Sequence, residues 1–164
     1  MLYGFAFQKR NISCRTLYNL KQVDARYLLW GAKSMDAYIE RRLLPDQPDH
    51  ILGMGVFYGN VKHQVRIETK FCNKFKNKLL DGVQQIESVE IDPFLKIPDE
   101  ETDCIYSDNL TTSYCNLISW KIVKLIEEGK LRSKYCFLHI PKRMDLDRVC
   151  VVVERMIGFS KAGN

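Results

Sequence analysis

Residues 104–141 read CIYSDNLTTSYCNLISWKIVKLIEEGKLRSKYCFLHIP, and the rest of the chain is organised around them. A short apolar run, Cys104 to Tyr106, leads into a polar turn, Ser107 to Thr112. A helical pattern follows with Cys115 in its first turn, and a second apolar run, Tyr135 to Ile140, carries His139 near its end. Strand, turn, helix and strand in that order predict an open α/β sheet. Cys115 then stands at a helix N-terminus and His139 at the C-terminal end of a strand, both on the edge where such sheets build their sites.

That placement has chemical content. A thiol attacks as its thiolate, a form favoured by the free N–H groups and partial positive charge of a helix N-terminus and by a neighbouring imidazolium. The predicted position offers Cys115 both. The same N–H groups can hold the oxyanion formed when sulfur adds to an amide carbonyl. His139 could take the thiol proton and later return one to the leaving amine. A structural reading of the same two residues competes: free cysteines are among the most buried residue types, and a histidine at a strand end is commonly only packed. Residue types alone leave both open.

At 164 residues and 46% hydrophobic content, the chain is sized for one domain, 1–164, with a sizeable core. No apolar run is long enough to cross a bilayer. The start, MLYGFAFQKR, lacks the charged opening, long apolar centre and small-residue cleavage site of a signal peptide, so a cytoplasmic protein without a membrane partner is expected. Six cysteines, at 14, 72, 104, 115, 136 and 150, form no CxxC pair and read as reduced thiols. Cys136 and His139 look like half a metal site, but residues three apart on a strand point to opposite faces. The net charge of +5 is mostly local, with Lys70, Lys74, Lys76 and Lys78 interleaved with Phe71 and Phe75. Such a pattern can track a nucleic-acid backbone, but the favoured reading is a strand whose solvated lysine face guards a sheet edge. No nucleic-acid module accompanies it, and no nucleic-acid partner is expected.

In chain order, Leu2 to Phe7 reads as a first strand and Gln8 to Ser13 as a loop, with Ser13 capping a short helix through Leu17 and Leu20. Tyr27 to Trp30 is a second apolar run, broken by Gly31. Ser34 to Leu44 has the spacing of an amphipathic helix closed by Pro45 and Pro48. His50 to Tyr58 is nearly all apolar, as a strand covered on both faces should be, and Gly53, Gly55 and Gly59 leave room for close approach. Gln64 to Cys72 alternates as one strand, with Val65, Ile67, Thr69 and Phe71 on one face and Arg66, Glu68, Lys70 and Cys72 on a wet or functional face. Leu79 to Ile86 fits a short helix or a hairpin flank, Val89 to Ile91 a small strand, and IDPFLKIPDEETD a surface loop. A final helix starts at Asp145 and buries Val149, Val152, Val153, Met156 and Ile157, with Gly158 as a stop signal; its run VCVVV also fits a strand.

Several of these pieces together resemble a known family. Gly55-Val56-Phe57-Tyr58-Gly59 is followed by Glu68-Thr69-Lys70-Phe71-Cys72-Asn73, then by Asp108-Asn109 leading to Tyr114-Cys115-Asn116, then by Phe137-Leu138-His139-Ile140-Pro141. The pattern GxxxG, ExxxxN, [SD][ND]xxxx[YL]CN and F[IL]H[IV]P is similar to that of the type I pyroglutamyl peptidases, also called pyrrolidone-carboxylate peptidases, and Gly4-Phe5 resembles their first-strand element. The resemblance implies a single-domain three-layer α/β/α sandwich around a mostly parallel, mixed sheet. It implies a cysteine exopeptidase that removes an N-terminal pyroglutamyl residue without metal or cofactor, its partner being a peptide with a blocked N-terminus, with a homo-oligomer as a further expectation. Carried over position by position, Cys115 is the nucleophile, His139 the base and Glu68 the carboxylate that orients it. Phe5 and Phe7, with Tyr58 and Asn60, are the expected substrate-binding positions, while Asn73 and Asn116 match the motif without an assigned role.

The chain also departs from the pattern. The family's GFxPFG is GFAFQK here, the arginine after the second glycine is Asn60, the arginine after the glutamate is Thr69, and the DAG-like turn before the cysteine is DNLTT. The interval from Asn73 to Cys104 is too short for the family's loop and a crossover helix. These changes fall on substrate binding more than on the three chemical residues, so altered specificity is the first expectation. A catalytically silent, peptide-binding relative is the second, and a basic nucleic-acid-binding domain the third.

Overall fold

The computed structural model describes residues 1–7, 10–59, 64–82 and 84–162; the expected contributions of Gln8, Lys9 and Asn60 fall outside these described residues. The strands are β1 (Leu2–Phe7), β2 (Ala25–Leu29), β3 (His50–Phe57), β4 (Val65–Glu68), β5 (Lys70–Cys72), β6 (Lys74–Phe75), β7 (Lys78–Leu79), β8 (Ser88–Glu90), β9 (Cys104–Ser107) and β10 (Lys134–Pro141). The helices are α1 (Ile12–Asn19), α2 (Ala32–Tyr38), α3 (Leu44–Asp46), α4 (Tyr114–Glu127) and α5 (Leu146–Ala162), with one π-helical turn, Ile39–Leu43, joining α2 to α3. The main sheet has the order β2-β1-β3-β10-β4-β9. Strands β2, β1, β3 and β10 are mutually parallel, whereas β4 and β9 run against them.

The layers follow from the connections. The chain leaves β1 for β2 on one side, then returns past β1 to β3 on the other. Right-handed crossovers in opposite directions require their helices on opposite faces of the sheet. Accordingly α1 shares one apolar cluster with α5, and α2 with its π turn shares the other with α4. Strands between two such layers must be apolar on both sides. On β10, Cys136, Leu138 and Ile140 enter the first cluster and Tyr135 and Phe137 the second. Full burial of each large side chain contributes about 1.5–3 kcal/mol. The result is an α/β/α sandwich around a mixed, mostly parallel sheet.

Several local expectations are corrected. Gln64 to Cys72 is two strands in two sheets: the chain breaks at Thr69, whose N–H and hydroxyl both donate to the Ser107 carbonyl at 2.8 and 3.1 Å. The break changes faces, so Val65 and Ile67 enter one cluster and Phe71 the other, and Glu68 is buried rather than wet. The cap of α1 is Asn11, whose Oδ1 accepts from the Cys14 N–H at 2.9 Å; Ser13 lies inside the helix. Helix α2 starts at Ala32. Gly158 does not stop α5, which continues to Ala162 and is tied by Ser160, donating to the Met156 carbonyl at 2.7 Å and accepting from the Lys96 N–H at 2.9 Å. Between β8 and β9 there is no helix, in keeping with the short interval. Phe71 is 3% exposed and Phe75 packs on Tyr114, with ring centroids 4.9 Å apart, so Phe71 offers no stacking platform for a base. Among the described residues no helix is long and apolar enough to cross a membrane.

Candidate active site

Glycine on β3 is what lets the site form. Gly53 and Gly55 stand on the α4 face of the sheet, in register with Phe137 and His139 of β10. A Cβ at Gly55 would lie 2.7 Å from Cys115 Sγ and 3.1 Å from His139 Cδ2. The sulfur and the edge of the imidazole therefore meet over a residue that has no side chain to separate them.

Each group is held by its element. Cys115 is the second residue of α4, ahead of the first amide bonded within the helix, that of Leu117 to the Ser113 carbonyl at 3.0 Å. Ser119 Oγ donates to the Cys115 carbonyl at 2.7 Å and lies 2.7 Å from the buried Tyr135 hydroxyl, which pins this turn to β10. Asn116 faces the other way: it donates to the carbonyls of Cys72 and Lys74, both at 2.8 Å, and accepts from the Cys72 N–H at 3.0 Å. Asn73 likewise donates to the Gln85 carbonyl at 3.1 Å and accepts from the Glu87 N–H at 2.8 Å. Both asparagines thus fasten chain to chain.

His139 is 7% exposed and its Nδ1 lies 2.7 Å from Glu68 Oε1, itself on a residue 4% exposed. With Nδ1 committed to the carboxylate, Nε2 is the nitrogen left for the thiol. Burial pushes the imidazole pKa down, but its interactions with Cys115 and Glu68 outweigh that and raise it from 6.5 to about 9. Phe137 meets the ring edge-on, with centroids 5.1 Å apart. Cys136 sits in the opposite cluster, so it shares no ligand role with His139. All six cysteines are free thiols, and among the described residues no group of three or more His, Cys, Asp or Glu is placed to hold a metal ion.

Beside Cys115 and His139 opens a pocket of about 330 Å³, walled by Phe7, Leu29, Trp30, Val56, Tyr58 and Tyr114, with Asn11, Gly31 and Ser113 also lining it. It lies where β1 and β3 send their helices to opposite faces, the switch point at which open α/β sheets hold ligands. Of the expected wall residues, Phe7 and Tyr58 line it. Phe5 does not: it is fully buried beneath, packed on Phe7, Tyr38 and Phe137. Leu29, Trp30, Val56, Ser113 and Tyr114 were not anticipated as lining. The only sequence signal for them was the apolar run ending at Trp30-Gly31, which reads the same for a core strand.

Comparison with known proteins gives a consistent result at the level of fold. No protein-family model matches the sequence, and no curated protein matches it. Among solved structures, pyroglutamyl peptidase I from Bacillus amyloliquefaciens is similar with a TM-score of 0.74 and 15% identity, over 97% of this chain and 93% of that one. The pyrrolidone carboxyl peptidase of Thermococcus litoralis gives 0.73 and 14%, over 98% and 93%. That of Fervidobacterium islandicum AW-1 gives 0.67 and 15%, over 98% of both chains. Over nearly its whole length, the chain has the fold of the pyrrolidone carboxyl peptidases.

Proposed function

We propose that this protein is a divergent cysteine exopeptidase of the pyroglutamyl peptidase type, in which Cys115, His139 and Glu68 hydrolyse the amide that joins an N-terminal pyroglutamyl or similar cyclic acyl group to a peptide. The observation that carries the reading is the buried 2.7 Å contact of His139 with Glu68, on a ring whose other side meets the Cys115 sulfur over Gly55. The shared fold supports it.

The chemistry follows from the atoms. Cys115 sulfur, its proton held by His139, adds to the acyl carbon. The oxygen that gains charge is received by the amides of the first turn of α4, which have no acceptor within the helix. His139 then gives its proton to the departing nitrogen, and the C–N bond breaks to leave a thioester and a free amine. Water, losing a proton to His139, adds to the thioester, and the C–S bond breaks to release the acid and restore the thiol. Glu68 keeps the ring oriented and balances its charge while it is protonated. Acceptance of a blocked N-terminus is favoured by the pocket lining, which among the described residues holds no carboxylate to pair with a free α-ammonium.

The test is a chromogenic pyroglutamyl anilide. Cleavage that disappears in Cys115→Ala, together with iodoacetamide labelling of Cys115 ahead of the other thiols at neutral pH, is the expected result. No cleavage with slow, uniform labelling would leave the fold as a peptide-binding domain without turnover.

A further inference from the structure

The acyl pocket occupies only one side of Cys115, toward β3, β1 and β2. A peptide whose acyl carbon meets the sulfur must therefore send its departing portion the other way, over β10 toward β4. Arg66 stands there. It pairs directly with His139 across the two strands, on the face it shares with Glu68, and its guanidinium carbon lies 4.0 Å from the centre of the Phe57 ring. The cation thus rests over the ring, and no hydrogen bond or ion pair among the described residues takes its N–H groups, the part that grips carboxylates in a bidentate manner.

The charges nearby point the same way. Lys142 lies over the Tyr58 ring at 5.4 Å and Lys76 over Tyr114 at 5.8 Å, and both rings line the pocket. Among the described residues, Arg66, Lys76 and Lys142 form no ion pair with a carboxylate, whereas Lys96, Lys121, Lys124 and Lys130 each do. Glu68 is occupied by His139, and the connection into α4 adds one exposed carboxylate, Asp108. The mouth is thus held cationic by aromatic rings.

We propose that Arg66 determines specificity by holding a carboxylate on the departing side of the substrate. The peptides this site takes best then carry one on the first residue after the scissile bond, either an acidic side chain or the C-terminal carboxylate of a dipeptide. The inference rests on the pyroglutamyl-hydrolase reading of the same site.

Four substrates in two pairs test it: pyroglutamyl-alanine amide against pyroglutamyl-alanine with a free carboxylate, and pyroglutamyl-glutamine amide against pyroglutamyl-glutamic acid α-amide, which differ only in the side-chain carboxylate. In the wild type, kcat/KM for one or both carboxylate forms exceeds that of its neutral counterpart about tenfold, the scale of one charge-assisted hydrogen bond at a half-exposed site. The form that gains identifies the source of the carboxylate. The ratio collapses toward one in Arg66→Gln, is partly kept in Arg66→Lys, and shrinks with added salt. A ratio near one in the wild type, or one that Arg66→Gln leaves unchanged, overturns the proposal. A second readout needs no turnover: the rate of Cys115 alkylation by iodoacetate relative to iodoacetamide, read by peptide mass spectrometry, falls in Arg66→Gln. If no pyroglutamyl amide is cleaved by any form, the hydrolase reading has failed, and the alkylation ratio alone decides whether Arg66 holds a carboxylate at this mouth; an unchanged ratio removes it.

Discussion

Gly55→Ala is the sharpest perturbation of this site, because it adds one carbon at the point where sulfur and imidazole meet. The new Cβ would stand 2.7 Å from Cys115 Sγ and 3.1 Å from His139 Cδ2. Non-bonded carbons settle at about 3.5–4.0 Å, so the sulfur must retreat by roughly 1 Å and the ring by several tenths. Overpacking of this kind costs about 1–3 kcal/mol of stability. A misplacement of about 1 Å in a reacting group costs on the order of a hundredfold in rate. The control is Gly53→Ala on the same strand and face, where the three atoms nearest the Cβ belong to Phe137, at 2.4 Å, and Phe5, at 2.6 Å, both fully buried, rather than to the sulfur or His139. It should destabilise at least as much and slow hydrolysis far less per folded molecule. The assay is kcat/KM on a pyroglutamyl anilide, corrected for the folded fraction by circular dichroism, with the iodoacetamide rate at Cys115 alongside. Wild-type hydrolysis and alkylation in Gly55→Ala would refute the claim that the juxtaposition over Gly55 does the chemistry.

Glu68→Gln keeps the shape of the side chain but removes the charge facing His139 Nδ1, and kcat/KM should fall roughly a hundred- to ten-thousand-fold, as when other triads lose their carboxylate. The His139 pKa is raised from 6.5 to about 9, so the stability that the protonated ring contributes is complete below the lower value and is lost as pH climbs through the upper one. Urea unfolding of wild type and His139→Asn between about pH 6 and pH 10 should show the wild-type advantage shrinking across that window, and an advantage that grew with pH would contradict the sign. Asn116→Ala removes two buried hydrogen bonds and one partly buried one and strands their backbone partners, for a loss of about 3 kcal/mol. At this chain length that lowers the melting temperature by roughly 6–12 °C, which calorimetry measures. Gly158→Ala lies in the exposed interior of α5 with nothing within 4 Å of the added carbon, and should stabilise by about 0.5–1 kcal/mol.

The placement of Cys115 and His139 was legible for local reasons. An apolar run, a polar turn and a helical spacing place Cys115 at a helix start whatever the rest of the chain does, and a run ending in HIP places His139 at a strand end. What spans the molecule was not legible. The alternation from Val65 to Phe71 continues in period across Thr69, so nothing in it marks the break or the change of face. Leu29 and Trp30 wall the pocket because β2 is the outer neighbour of β1, a fact of strand order that no local pattern carries. Gly158 looked like a helix stop because glycine often is one, but the apolar face through Met156 and Ile157 and the bonds of Ser160 hold the helix past it.

The direction of β4 matters more to the site than any of these. Because β4 runs against β10, its Arg66 stands level with His139 and its Glu68 level with Phe137, two residues deeper along the strand. All four side chains share one face. Depth removes Glu68 from water, where its attraction for a protonated imidazole is least screened, and leaves Arg66 at the half-exposed mouth, where a cation can meet a substrate. Were β4 parallel to β10 with the same residues, Arg66 would lie beneath the ring and oppose its protonation, and Glu68 would lie at the rim in solvent. The same reversal turns β9 away from the rim, and residues 108–113 must climb back to begin α4 over Gly55. Strand polarity therefore sorts the two charges of one short segment, VRIE, into a carboxylate buried against the imidazole and a half-exposed cation at the rim, on the side where the proposed peptide would depart.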